Sequence, residues 1–140
     1  MSKVAFFLLF FSGFLEAVDG SFYISGQVVK KISLSLAHSS IDFGDVYHDS
    51  DVASEEVDFS VNAENGFDYT IAISNDDSTG VVQVSRTASA GYTADIITYI
   101  ETATGVEQAH KFYVDLNTSN MSGDLSAKIT VLVVYNDIAE

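Results

Sequence analysis

The chain has no cysteine, no proline and no tryptophan, and its six basic residues stand against twenty acidic ones. Each shortage excludes something. Without cysteine there is no disulfide scaffold, no thiol nucleophile and no cysteine-ligated zinc or iron–sulfur centre. Without proline no strand loses a backbone donor, and no sheet edge is protected by one either. A formal net charge of −14 repels phosphate backbones and anionic headgroups, which argues against nucleic acid and lipid surfaces as partners. Its ordinary consequence is solubility and mutual repulsion of monomers.

What is present is apolar and periodic. Hydrophobic residues make up 47% of the 140, enough for one domain with a real core and too many for general disorder. Residues 1–20 have the layout of a signal peptide: Lys3, an apolar run from Val4 to Leu15, then the short polar stretch Glu16–Gly20. The run is too short to span a bilayer comfortably. Cleavage is expected before Ser21, with Ala17 as an alternative position, so the protein is expected to be exported.

Behind the leader, Ser21–Lys31 alternates, with Phe22, Ile24, Gly26 and Val28 on one face of an extended chain. By spacing alone this is the first strand of a β-domain, or a strand made for a neighbour. Ile32–Leu36, Glu55–Ala63, Phe67–Ser74, Val81–Ser85, Asp95–Glu101, Ala109–Leu116 and Ser126–Tyr135 also read as strands. Ile41 and Phe43 are expected to plug into the core. Glu64-Asn65-Gly66 predicts a tight hairpin between the strands that flank it. Val131–Val134 is apolar on both faces, the pattern of a central or covered strand. No segment keeps a helical period. The fold class is therefore all-β, a β-sandwich of immunoglobulin-like type.

Catalytic chemistry finds little support. Asp42-Phe43-Gly44 spells a kinase magnesium motif, but the glycine-rich and catalytic loops that must accompany it are missing. His38, His48 and His110 lie far apart, and no Gly-x-Ser-x-Gly elbow occurs. The one hard-cation candidate is the acidic loop carrying Asp45, Asp49 and Asp51, which lacks EF-hand order. Asn117-Thr118-Ser119 and Asn120-Met121-Ser122 match glycosylation sequons. The expectation is a protein that is not an enzyme, with no cofactor and no small-molecule substrate.

Three stretches carry a family likeness. Ile24–Leu34 (ISGQVVKKISL) resembles the mature N-terminus of archaic, Csu-type chaperone–usher pilins, a group related to spore coat protein U domains. Ile41–Val46 (IDFGDV) resembles the family's Phe-Gly element, and a Val-x-Phe-x-Val strand and Phe67–Ile73 follow it as they do there. Ser122–Leu125 leading to Thr130–Tyr135 is similar to the family's closing pattern, with Gly123 and Tyr135 twelve positions apart. Two features depart from the family: many members carry a disulfide, and Asn136–Glu140 runs past the usual terminal tyrosine.

The resemblance implies an incomplete immunoglobulin-like Greek-key sandwich, completed by a donor strand from a neighbouring subunit. It divides the chain into a signal peptide (1–20), a donor segment (21–31) and the pilin domain (32–140). Phe22, Ile24, Gly26 and Val28 would be the donor residues. Gly123, Ile129, Val131, Val133 and Tyr135 would belong to the acceptor groove and last strand. The implied function is a structural subunit of a surface pilus serving adhesion or biofilm formation. Its partners would be like subunits, a periplasmic chaperone and an outer-membrane usher, and its route would run through the periplasm to the cell surface. The alternative from the residues alone is a secreted β-sandwich that binds carbohydrate, a surface or calcium through its loops.

Overall fold

A computed structural model describes the backbone of residues 3–8 and 22–27, and residues 30–136 throughout. The expected cleavage site, the donor residue Val28, the donor side chains and the tail beyond Asn136 lie outside the described residues. The chain divides into two units, Met1–Lys31 and Ile32–Glu140. In the first, β1 (Lys3–Leu8) pairs antiparallel with β2 (Phe22–Gln27), from Lys3 opposite Gln27 to Leu8 opposite Phe22. The expected leader thus contributes a strand to the uncleaved chain, and the alternating stretch behind it is extended and takes a β-partner.

The second unit is all-β. Its strands are β3 (Ile32–Leu36), β4 (Glu55–Ala63), β5 (Asp68–Asn75), β6 (Val82–Ser85), β7 (Ile97–Thr102), β8 (Gln108–Leu116) and β9 (Ile129–Tyr135). One antiparallel sheet runs β3-β4-β8-β6 and the other β7-β5-β9. Alternation explains how they meet. Val57, Phe59, Val61 and Ala63 of β4 are buried while Glu56, Asp58 and Asn62 are exposed, and Tyr69, Ile71 and Ile73 of β5 are buried in the same rhythm. These residues join Val82, Val84, Phe112, Val114 and Leu116 in one core cluster between the sheets.

Two expectations from the sequence are corrected here. β4 and β5 are not hairpin partners, because they sit in different sheets. Both carry a complete apolar face, and placing the strands across the core buries one face against the other, which side-by-side pairing would not do. The turn between them ties instead to β7's end: Gly66 N donates to Ala103 O at 2.9 Å, and Ala103 N donates to Phe67 O at 2.8 Å. Gly66 has φ +88°, the left-handed conformation that makes a residue without Cβ useful there.

The second correction concerns β9. Among the described residues it is no central strand but an edge strand paired with β5 alone, and Leu132 and Val134 on its outer face are exposed. Ile41, Phe43 and Val46 do pack partly buried against the core, as Ile41 and Phe43 were expected to. Asp42 Oδ1 accepts from Gly44 N at 2.8 Å, and Gly44 turns the chain at φ +71°.

Asp77 organises the turn after β5. Its carboxylate accepts from Thr79 N (3.1 Å), Thr79 Oγ1 (2.6 Å), Val81 N (2.8 Å) and Val82 N (2.9 Å). Desolvation alone would push this carboxyl up; the bonds from Thr79, Val82 and Val81 outweigh it and hold the group below its ordinary value.

Candidate functional site

Residues directly opposite one another on paired strands share a face of the sheet. In the β5–β9 pair, Val131 faces Ile73, Val133 faces Ile71 and Tyr135 faces Tyr69. The β5 members of these pairs are all 0% exposed, yet their β9 counterparts are only half-buried. β3 repeats the pattern in the other sheet. Leu34 is opposite Val61 and Leu36 opposite Phe59, so both leucines lie on the core face, but they are 38% and 47% exposed. One side of the sandwich, flanked by β3 and β9, leaves core-facing apolar side chains uncovered.

The backbone of β9 is open on that side too. Asn136 N donates to Asp68 O at 3.0 Å, and Asp76 N donates to Lys128 O at 3.1 Å, so even-numbered residues turn their polar groups toward β5. By the antiparallel pattern, Ile129, Val131, Val133 and Tyr135 direct their N–H and C=O groups to the other edge. Among the described residues no strand pairs there.

A cleft of about 780 Å³ opens at the Ile129 end. It is lined by the buried Val57, Phe112 and Val114, by residues 38–47, and by residues 123–129 with Val131. Of the groove residues expected from the sequence, Gly123, Ile129 and Val131 line this cleft. Val133 and Tyr135 continue the same face further along β9 and do not line it. Tyr135 is a clamp as well: its Oη accepts from Glu64 N at 2.8 Å and its ring packs edge-on against Phe67.

The calcium candidates are not brought together. Among the described residues no three His, Asp or Glu side chains gather as a metal site. Asp49 instead lies 3.3 Å from His48 Nε2, and the loop is tied down by Thr118 Oγ1 donating to Ser50 O at 2.6 Å. Asp49 itself adopts φ 60°.

A second cleft, of about 690 Å³, is one the sequence did not announce. His110 sits on the core face of β8, stacked on Phe59 with ring centroids 5.2 Å apart and meeting Tyr69 and Tyr99 at 6.1 and 6.0 Å. Tyr69 Oη donates to Gln108 Oε1 at 3.1 Å and lies 3.0 Å from His110 Nε2. The Arg86 guanidinium covers the Tyr99 ring at 3.6 Å. Burial holds His110 below its ordinary value, with Arg86 adding to the shift and Glu101 opposing it. Burial likewise pushes the Tyr99 phenol up to about 12. The alternation of Gln108, His110 and Phe112 was the available signal, since it places a histidine on an otherwise apolar face.

Compared with known proteins, the chain matches no family model, no curated protein and no solved structure.

Proposed function

We propose that the protein is a non-enzymatic fibre subunit, exported through the periplasm and assembled at the cell surface by donor-strand complementation. In this reading the sandwich is an incomplete immunoglobulin-like Greek key whose missing strand comes from another subunit. A periplasmic chaperone occupies the vacancy first and an outer-membrane usher oversees the exchange. The observation that carries the reading is the pair of strands β3, whose core-face Leu34 and Leu36 are exposed, and β9, whose core-face residues are only half-buried beside an edge that no strand pairs among the described residues. An uncovered apolar edge is an aggregation hazard for a lone monomer, and a strand laid along it removes the hazard.

Support also comes from the other end of the chain. The backbone of Phe22–Gln27 is extended and pairs with Lys3–Leu8. Cleavage after residue 20 removes that partner and leaves a strand in need of another. Adhesion or biofilm formation is the role such a fibre serves.

The test is to express the full chain with export, with and without residues 21–29, and to follow polymer by size exclusion and electron microscopy. The intact chain should form fibres or depend on a chaperone for solubility. The deletion should still accept a donor peptide but should not grow. A stable, folded monomer from the intact chain overturns the proposal.

A further inference from the structure

The apolar rhythm of the core faces breaks at the cleft around His110. Opposite the buried Val61 and Phe59 of β4 stand Gln108 and His110 of β8, and opposite the buried Tyr69 and Ile71 of β5 stand Glu101 and Tyr99 of β7. These four side chains are on core faces, yet all are polar, and with Arg86 they line the cleft of about 690 Å³. Polar groups on a core face cost stability unless they are partnered, and breaks of this kind mark functional sites. We propose that this cleft binds a neutral sugar, whose hydroxyls donate to His110 Nδ1 and the Glu101 carboxylate and accept from the Arg86 guanidinium. The site goes beyond the fibre reading and does not depend on it.

A relay of hydrogen bonds fixes which nitrogen of His110 is offered. Gln108 Nε2 donates to Thr102 O at 3.1 Å, so Gln108 Oε1 is the atom turned to Tyr69, and it can only accept. The single hydroxyl proton of Tyr69 goes to that oxygen at 3.1 Å. The 3.0 Å contact between Tyr69 Oη and His110 Nε2 is then made by the imidazole proton, which leaves the lone pair on Nδ1. Nothing among the described residues bonds Nδ1. Burial favours the neutral ring and so keeps this acceptor available.

The charges around it are equally unengaged. Arg86 is the only arginine in the chain, and its guanidinium lies flat on Tyr99 at 3.6 Å, an arrangement that occupies its face and not its N–H groups. Among the described residues neither Arg86 nor Glu101 has a side-chain hydrogen bond or ion pair. The other charged groups of the lining have partners: Lys111 pairs with Glu56 at 2.8 Å, and Glu107 accepts from Ser60 Oγ at 2.6 Å. Asp58 stands opposite Lys111 on the outer face.

The cleft thus presents one cation, one anion and one neutral acceptor. An anionic ligand meets Glu101 and a chain of net charge −14. A cationic one meets Arg86, and a hydrocarbon leaves all three groups unsatisfied. A hydroxyl donates and accepts at once, so a polyhydroxylated ligand answers the whole set. A sugar ring holds its hydroxyls at fixed spacing and loses less freedom on binding than an open chain does. The volume also suits it, since small-molecule sites run from about 300 to 1,000 Å³.

The exported full chain is to be titrated by calorimetry with cellotriose, maltotriose and triacetylchitotriose, and with trigalacturonate as the charged counterpart. Nitrogen-15 spectra of the imidazole and guanidinium follow the same titrations. At least one neutral trisaccharide should bind and should move the signals of His110 Nδ1 and the Arg86 side chain. Arg86→Ala and Glu101→Gln should each weaken that sugar by about tenfold, with circular dichroism showing the fold retained. Tyr69→Phe keeps the buried ring but removes the hydroxyl; it should release His110 to a mixture of tautomers and weaken the same sugar by a smaller factor. Binding of none of the neutral trisaccharides overturns the proposal. So does tighter binding of trigalacturonate, or an affinity that Arg86→Ala and Glu101→Gln leave unchanged. A parent imidazole found protonated on Nδ1 and bare on Nε2 overturns the relay and the role given to His110. Failure here leaves the fibre reading standing, because that reading is tested by polymer alone.

Discussion

β5 and β9 are neighbours in one sheet, with apolar residues at matching positions, and they have opposite fates. Ile71 and Ile73 are sealed beneath the facing sheet, while Val133 and Val131 beside them remain half-open. The chemistry of the side chains is nearly the same. The difference is position: β5 has a strand on each side, whereas among the described residues β9 has one neighbour in its sheet and approaches the short, exposed β3. Hydrophobicity thus states that a residue is meant to be covered, and topology states by what. Where an inward-facing residue lacks its cover among the described residues, the proposed donor strand is what would supply it.

The largest effect should separate these two strands. Ile71→Ala should destabilise the monomer by about 2–5 kcal/mol in chemical denaturation, since it leaves a closed cavity. Val133→Ala should cost about 1 kcal/mol, because half of what it loses already faces solvent. Equal costs would mean the open side is covered in solution. In polymer the comparison should narrow, with Val133→Ala speeding dissociation of subunits.

Next in size is the turn that starts the sealed side's β6. Asp77→Ala strips Val81 and Val82 of their amide partner and should cost about 1–3 kcal/mol. The folded carboxyl is held below its unfolded value, so its contribution is full above the ordinary carboxylate range and disappears as pH falls through the depressed value. Melting temperature followed from pH 6 downward should fall faster for the parent than for the variant. Parallel curves would remove Asp77 from acid sensitivity.

A smaller effect is expected at His110. Its neutral form is favoured by burial among Phe59, Tyr69 and Tyr99, with Glu101 and Arg86 as the nearby charges. Stability should therefore be full above the unfolded histidine range and decline as pH drops through the lowered folded value. His110→Gln should flatten the melting profile between pH 7.5 and 5; an unchanged slope would assign the decline to the carboxylates. The smallest effect belongs to the exposed Lys111–Glu56 pair at 2.8 Å, where Lys111→Ala should leave the denaturation midpoint unmoved within error, at low salt and high.

Much of the fold was legible before any coordinates. β3 and β4 begin and end where their alternation does, and β5 to β9 differ from expectation mainly at their ends. Val57, Phe59 and Val61 were readable as an inward face because a period of two leaves little choice. Asn-Gly misled, since a turn residue specifies a local bend and cannot say whether the next strand returns beside its predecessor or crosses to the other sheet. Val131–Val134 misled in a different way. A strand apolar on both faces reads as covered, whether the cover comes from its own chain or from another.

The candidate site was legible in part. Gly123, Ile129 and Val131, named with the acceptor groove from the family likeness, lie together along one cleft. The role of Tyr135 as a clamp on Glu64 could not be read, because the pair is separated by 71 residues. Leu34 and Leu36 were read as strand residues but not as part of an open wall, since exposure is a property of neighbours. The Phe59–His110–Tyr99 cluster was hidden for the same reason: it gathers three strands from two sheets.

By itself the sequence determined the class of the fold, its strands and which side of each strand is apolar, because alternation and turn chemistry act over a few residues. Only the tertiary structure decided which strands are neighbours, and so which apolar faces are left uncovered. Burial depends on contacts between residues far apart in the chain, and no local pattern contains them.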